Sequence, residues 1–280
     1  MYKILEKKIL NPTVEEITVE APHVARHAKA GQFIILRVDE DGERVPFTVA
    51  GSAPEKGTVT IIYQIVGAST KKLSALQEGD SLHDFVGPLG KPTEIDADNV
   101  VIIGGGVGCA IALPVARAFH EAGKHVDSIV GFRNKDLLIL EDEFKEASDA
   151  YHLMSDDGSI GEKGLVTAKL QQLIDNGQKI DKVIAIGPLI MMKFVCELTK
   201  KYDIPTIVSM NSIMIDGTGM CGGCRLSYDG QMKFACVDGP DFDGHKVDFD
   251  AAMSRNRQYM DTERYAYEEA CHLLNKEVSE

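Results

Sequence analysis

Over residues 1–96 hydrophobic and polar positions alternate in short runs. Residues 15–20, 32–38 and 58–66 are rich in β-branched side chains and bounded by Gly, Pro and Asp, which marks strands separated by turns. Short strands at this spacing predict a small antiparallel β-barrel. One helix interrupts them, starting near Ser69 or Thr70 as N-cap and running to Gln77. From Asn99 the alternation stops. Residues 100–103 form a continuous apolar strand followed by a glycine turn and a helix through His120, and residues 126–132, 182–188 and 206–210 supply further strands. Apolar strands that alternate with helices predict an α/β domain whose parallel sheet is covered on both faces. The expected division is a barrel over 1–96, an α/β domain over 97–212, a small cysteine-bearing module over 213–250 and a helical tail over 251–280. The tail mixes Arg255, Arg257, Arg264, Glu268 and Glu269 with Tyr259, Tyr265, Leu273 and Leu274. It reads as a solvated helix lying on the sheet domain, with partner docking as the alternative.

Composition narrows the classes. The 280 residues are 44% hydrophobic and 26% charged, as in globular proteins. A formal net charge of -13 argues against a nucleic-acid partner, since phosphate binding needs clustered Lys and Arg. Residues 100–116 carry no charge, yet Gly104, Gly105, Gly106, Gly108 and Pro114 interrupt them. A strand, turn and helix start explain that stretch better than a membrane span. The N-terminus, charged and alternating, does not read as a secretory leader. With six cysteines and no leader, a reducing, cytoplasmic compartment is expected, where thiols serve ligation rather than disulfides. Cys109, Cys196 and Cys271 stand apart and read as small hydrophobes.

The densest chemistry lies in the third segment. Asp216, Cys221, Cys224 and Cys236 bring one carboxylate and three thiols into a glycine-rich loop and its hairpin-like return. Thiolates bind zinc or hold an iron–sulfur cluster, and glycines let backbone N–H groups point inward at inorganic sulfide. Both metals remain open on these residues alone.

Other segments carry glycine turns suited to phosphate. Gly104, Gly105, Gly106 and Gly108 follow a strand and open a helix, whose N–H groups and dipole favour a pyrophosphate. Cys109 stands at the third glycine position of the usual dinucleotide fingerprint, and Arg133 stands where an acidic residue commonly ends the second strand. Two more loops, with Asp157 and Gly158 in one and Gly187 and Pro188 in the other, end later strands on the ligand-binding edge of such sheets. In the barrel, Arg44, Pro46, Phe47 and Thr48 place a cation, a flat ring and a hydroxyl along one strand. These groups suit a flavin, with Thr48 bonding its ring and Arg44 facing phosphate. Gly67, Ser69 and Thr70 at a helix start again suit a pyrophosphate. Each segment alone also reads as ordinary strand or turn.

Taken together, the barrel strand motif, the run from Gly87 to Gly90, the glycine turn at 104–108 and the Gly187-Pro188 pair resemble the ferredoxin–NADP reductase superfamily. The resemblance covers residues 1 to about 210. The cysteine loop narrows it to two groups, the electron-transfer subunits of dihydroorotate dehydrogenases and the small subunits of NADH-dependent ferredoxin–NADP oxidoreductases. The first group usually has four cysteines on a two-iron cluster, and the second replaces the leading cysteine with aspartate, as Asp216 does here. The second is favoured. Arg44 departs from the superfamily pattern, lying four residues before Thr48 instead of three.

The resemblance implies FAD between barrel and sheet domain, NAD(H) on the sheet domain and a [2Fe-2S] cluster on Asp216, Cys221, Cys224 and Cys236. It implies a heterodimer with a larger iron–sulfur flavoprotein subunit that handles NADP(H) and reaches ferredoxin. No catalytic acid or base is expected, and His83, His125 and His245 read as surface or packing residues. NAD is inherited from the family, with Arg133 leaving NADP open. A different class of reading is a non-catalytic sensor with zinc stapling the loop, which would be colourless.

Overall fold

The computed structural model describes residues 1–277, with side chains through Cys271. The side chains of Leu273 and Leu274 and all of residues 278–280 lie outside the described residues. The first segment runs β1 (Tyr2–Asn11), β2 (Val14–Glu20), α1 (Pro22–His27), β3 (Phe33–Arg37), β4 (Val45–Thr48), β5 (Gly51–Ala53), β6 (Thr58–Gln64), α2 (Ala68–Ala75), β7 (Ser81–Leu82) and β8 (Asp84–Leu89). Its strands form two antiparallel sheets, β5-β6-β2-β1-β7 and β4-β3-β8. The expected closed barrel is therefore replaced, among the described residues, by two sheets that exchange strands. The chain crosses between them at Val49–Ala50, where Val49 N–H bonds Gln32 and Ala50 N–H bonds Thr60 on opposite sheets. It crosses again at His83, between β7 and β8.

β3 shows why its sequence is apolar throughout. Ile34 and Leu36 point into the core between the two sheets, while Phe33 and Ile35 point the other way, into a core shared with the rest of the protein. With side chains alternating faces, a strand buried on both sides cannot show a polar period.

The second segment comprises β9 (Asn99–Gly105), α3 (Gly108–Glu121), β10 (His125–Phe132), α4 (Glu141–Glu146), β11 (Ala150–Ser155), β12 (Glu162–Lys163), α5 (Val166–Asp175), β13 (Lys182–Ile186), α6 (Leu189–Lys200) and β14 (Thr206–Ser209). The sheet order is β12-β11-β10-β9-β13-β14, all parallel, with a later antiparallel strand on the edge. Both faces are covered, as the unalternating strands predict. Val100 and Ile102 join Leu113, Ala116 and Phe119 of α3 on one side. On the other, Val101 and Ile103 join Leu170 of α5 and Met192 and Val195 of α6.

The third segment holds β15 (Arg225–Tyr228), β16 (Gln231–Phe234), α7 (Ala235–Asp238) and β17 (Asp241–Asp243), followed by α8 (Phe249–Asn256) and α9 (Met260–Glu277). β15 and β16 form a hairpin, and β17 extends the parallel sheet beside β14. The C-terminal helix departs from expectation. α9 packs on α2 of the first segment instead of on the sheet domain, burying Ala270. Among the described residues no helix is long and apolar enough to cross a membrane.

Candidate functional site

Order reverses in the parallel sheet between β9 and β13: β9 leads through α3 to one side, and β13 leads through α6 to the other. A crevice opens outside the carboxyl ends of strands at such a switch point. Here it is a cavity of about 630 Å³ lined by Gly105, Gly106, Gly108, Arg133, Gly187 and Pro188, among others. The glycines have separate physical reasons. A Cβ on Gly108 would lie 2.6 Å from the Ile186 carbonyl oxygen, and one on Gly105 would lie 2.4 Å from Met191 Sδ. These two let the β9 and β13 loops touch. Gly106 instead has φ of +56° and no protein atom within 4 Å of where a Cβ would point. It is the open position of the turn, with α3 starting just beyond, so an anionic ligand can approach its backbone. Gly104 lies beneath, its missing Cβ replaced by Cys109 Sγ at 2.8 Å. Cys109 thus fills the strand–helix contact that a third glycine would leave bare, and burial raises its thiol pKa far above the ordinary range.

The loop after β11 places its acids differently from expectation. Asp157 Oδ1 accepts from Ser159 N–H at 2.8 Å and closes its own turn, with Gly158 at φ +79°. Asp156, one residue earlier, lines the cavity with Arg133. An acid at the end of the third strand was a visible signal, one position from the residue singled out. Ser209, Asn211, Thr13 and Gln64 also line the cavity and had no sequence mark, because tertiary folding alone brings them there.

The second group lies on the first segment. β4 carries Pro46, Phe47 and Thr48, all half-buried, with the Phe47 ring 5.9 Å from Tyr63 in an edge-on contact. The N-cap of α2 is Gly67, not Ser69 or Thr70. Thr70 sits one turn inside, its Oγ1 accepting from the N–H groups of Val66 and Gly67 at 3.0 Å and donating to the Gly67 carbonyl. That hydroxyl shapes the turn. Ser69 Oγ donates to Glu43 Oε2 at 2.9 Å. A smaller cavity, about 330 Å³, lies between Glu43, Ser69 and Lys72 and the face of α9 at Ala266, Glu269 and Ala270. Arg44 points elsewhere: its Nε donates to the Ile215 carbonyl at 2.8 Å.

The thiols come together in part. Cys224 and Cys236 are buried with their sulfurs 3.2 Å apart, while Cys221 is exposed. Backbone N–H groups converge on them: Gly223 donates to Cys221 Sγ and Cys236 to Cys224 Sγ, each at 3.4 Å. Burial and the Cys224 neighbour push the Cys236 thiol up to about 12. Gly217, Gly219 and Gly222 take positive φ, the conformation that turns consecutive N–H groups inward. Asp216 faces the same way. Its Oδ1 accepts from Thr218 N–H at 3.0 Å, and its Oδ2 from Met220 at 3.1 Å and Cys221 at 2.8 Å. These bonds, led by that of Thr218, hold the carboxyl below its usual range. Among the described residues no three Cys, His, Asp or Glu side chains stand in metal-holding positions. The donor set fits an iron–sulfur group nonetheless, since the loop and α7 together supply three soft thiols and backbone N–H groups point at sulfur.

His83, His125 and His245 make polar contacts away from these sites. His83 joins Asp84 and Arg37, His125 lies near Asp127 and Asp149, and His245 bonds Thr199. Cys196 is buried against Gly244, with burial pushing its thiol up to about 12.

A family profile for the iron–sulfur cluster binding domain of dihydroorotate dehydrogenase B matches residues 211–248. A Thermotoga maritima protein described as a dihydroorotate dehydrogenase B (NAD(+)) electron transfer subunit homolog is 46% identical over 269 residues, covering 96% of this chain and 95% of its own. The Streptococcus pneumoniae R6 dihydroorotate dehydrogenase B (NAD(+)) electron transfer subunit is 32% identical, covering 86% and 94%. The solved structure of an NADH-dependent reduced ferredoxin-NADP oxidoreductase, described in work on flavin-based electron bifurcation, superposes with a TM-score of 0.91. It is 44% identical and covers 96% of this chain and 97% of that one.

Proposed function

The chain belongs to the family of dihydroorotate dehydrogenase B electron-transfer subunits and their homologues, and from that membership we propose that it binds FAD, NAD(H) and a [2Fe-2S] cluster and passes electrons to a larger flavoprotein subunit. It is an oxidoreductase electron-transfer subunit of the ferredoxin-reductase type with an iron–sulfur binding domain. The observation that carries the finer reading is the shared core. Phe33 and Ile35 of β3, Val101 and Ile103 of β9, Cys224 of the cysteine loop and Cys236 of α7 belong to one apolar cluster. Strand β3, paired with the proposed flavin strand β4, thus packs in the same core as β9 and the cysteine loop.

When bound, a flavin accepts an electron pair as hydride from nicotinamide and releases electrons singly to an iron–sulfur cluster. The chain's residues supply position and dryness. Gly106 and the start of α3 receive the dinucleotide phosphates, while Gly187 and Pro188 shape the opposite wall. Phe47 and Thr48 hold the flavin ring, and the turn at Gly67 to Thr70 offers free helix N–H groups to its phosphates. Cys221, Cys224, Cys236 and Asp216 ligate the cluster, and the N–H groups aimed at sulfur stabilise its added negative charge.

Asp216 in the leading position favours a partner that handles NADP(H) and ferredoxin. A dihydroorotate dehydrogenase partner is the second reading, and the cysteine-domain match favours it equally. Protein purified anaerobically is expected to carry FAD, iron and sulfide and to bleach its flavin on NADH addition. Colourless, zinc-bearing protein that stays unbleached after FAD is supplied would overturn the proposal.

A further inference from the structure

The cysteine loop between β14 and β15 has no regular secondary structure up to residue 224, so outside contacts must set its position. From α8, Arg255 Nη2 donates to the Gly223 carbonyl at 3.3 Å and Asn256 Nδ2 to that of Asn211 at 3.2 Å. From the first segment the loop meets Leu89 and Ile35 at Gly217, where a Cβ would lie 2.6 Å from Leu89 Cδ1. The one side-chain hydrogen bond that the first segment sends to residues 211–224, among the described residues, comes from Arg44 Nε to Ile215 at 2.8 Å.

Arg44 directly precedes β4, and Ile215 directly precedes Asp216. The guanidinium therefore joins the strand assigned to the flavin ring to the loop assigned to the cluster. It is braced from behind. Arg44 Nη1 lies 3.7 Å from Asp84 Oδ2, which also accepts from Arg37 Nε at 2.8 Å, and His83 Nδ1 lies 3.1 Å from Asp84 Oδ1. A forked guanidinium can bond a carbonyl and face a carboxylate together, whereas a lysine ammonium cannot reproduce that planar pair. The one-residue displacement of Arg44 from the reductase pattern gains a reason: from this position the side chain reaches the cysteine loop.

Resting on the proposed flavin and cluster sites, we propose that Arg44 is a positioning residue that sets the separation of the cluster loop from the flavin strand, and not a ligand of the flavin phosphates. The step it serves moves one electron from reduced flavin to oxidised cluster and makes or breaks no bond. Such a step slows steeply as the separation grows, and Arg44 contributes by holding that separation fixed.

Arg44→Gln and Arg44→Lys, prepared anaerobically with FAD, iron and sulfide, test this. FAD per chain, stopped-flow flavin bleaching by NADH, freeze-quench EPR of cluster reduction and thermolysin cleavage before Ile213, Ile215 or Met220 are measured against the unmodified chain. Arg44→Gln is expected to keep FAD and NADH bleaching and to cleave faster in the loop. Its cluster reduction should slow severalfold as the separation loosens, because each added ångström lowers the rate of an electron step only a few-fold. Arg44→Lys should fall between. Should Arg44→Gln not fold, Asp84→Asn, which removes the brace and leaves Arg44 in place, is expected to show the same loss in milder form. Lost FAD with normal cluster reduction after FAD is restored would make Arg44 a phosphate ligand and overturn the proposal, as would unchanged EPR kinetics and proteolysis. An unmodified chain that binds no flavin would refute the functional reading itself, a result the parallel control keeps separate.

Discussion

Gly106 and its neighbours separate binding from packing at the scale of one residue. Because Gly106 has positive φ and open space around it, Gly106→Val adds left-handed strain of about 1–2 kcal/mol and puts methyl groups where phosphates approach. The chain should still fold and keep FAD, while KM for NADH in a dye-reduction assay rises about tenfold or more, a loss of at least one hydrogen bond's worth of binding. Gly108→Val, by contrast, would push a side chain into the Ile186 carbonyl and should lower thermal stability first. Asp216 poses a sharper choice. All three of its hydrogen bonds go to loop N–H groups, so it caps the loop whether or not it ligates iron. A carboxylate oxygen is harder and donates less to iron than a thiolate. As a ligand, Asp216→Ala should lose iron and Asp216→Cys should retain a [2Fe-2S] spectrum with a shifted potential. Capping alone would make Asp216→Cys as damaging as Asp216→Ala, because neither side chain reaches those three donors with two oxygens.

At the scale of elements, legibility followed periodicity. The strands at 15–20, 32–38, 58–66, 100–103, 126–132 and 182–188 were visible because burial on one or both faces imposes its own pattern. The three thiols were visible because they cluster in sequence. Exchange of strands between two sheets at Val49–Ala50 and His83 had no signal, since a strand that changes sheets keeps the same side-chain alternation. The docking of α9 on α2 was equally hidden, because a largely polar helix shows which face is apolar but not what it covers. Asp241 of β17 belongs with these. Its Oδ2 accepts from Thr93 Oγ1 at 2.6 Å, and its Oδ1 is buried without a partner, in a joint between the segment linker and the sheet edge. Burial pushes its carboxyl up to about 6 despite the Thr93 bond. An ordinary aspartate in the unfolded chain loses its proton near pH 4, so between about pH 4 and 6 the folded state holds a proton the unfolded state has released. Stability therefore falls as pH rises through that window, and the penalty is complete above it. Asp241→Asn should be more stable than the unmodified chain at pH 8 by about 1–3 kcal/mol and lose that advantage by pH 4, as read from urea midpoints. An equal change at both pH values would show that packing, not ionisation, governs the site.

On the scale of the whole molecule, the shared core argues against independent modules. The cluster of Phe33, Ile35, Val101, Met192, Cys224 and Phe249 spans all the segments, so the sheets and the cysteine loop share one packed interior. That loop reaches the surface: Cys221 is exposed, beside Met220 at 89% exposure and Ile215 at 52%. Apolar side chains standing free beside a redox loop suit a protein partner. On the proposed reading, the chain passes its electrons on through this loop to a second protein. Its three other cysteines, Cys109, Cys196 and Cys271, are too few for a second cluster of four thiolates. NADH-to-dye activity should therefore persist in the isolated chain, while ferredoxin-linked NADP reduction should appear only after a large flavoprotein subunit is added. Measuring both rates on the same preparation, with and without that subunit, decides the matter. Sustained ferredoxin-linked turnover by this chain alone would mean that the exit route ends inside the molecule, against the exposed loop and the cysteine count together.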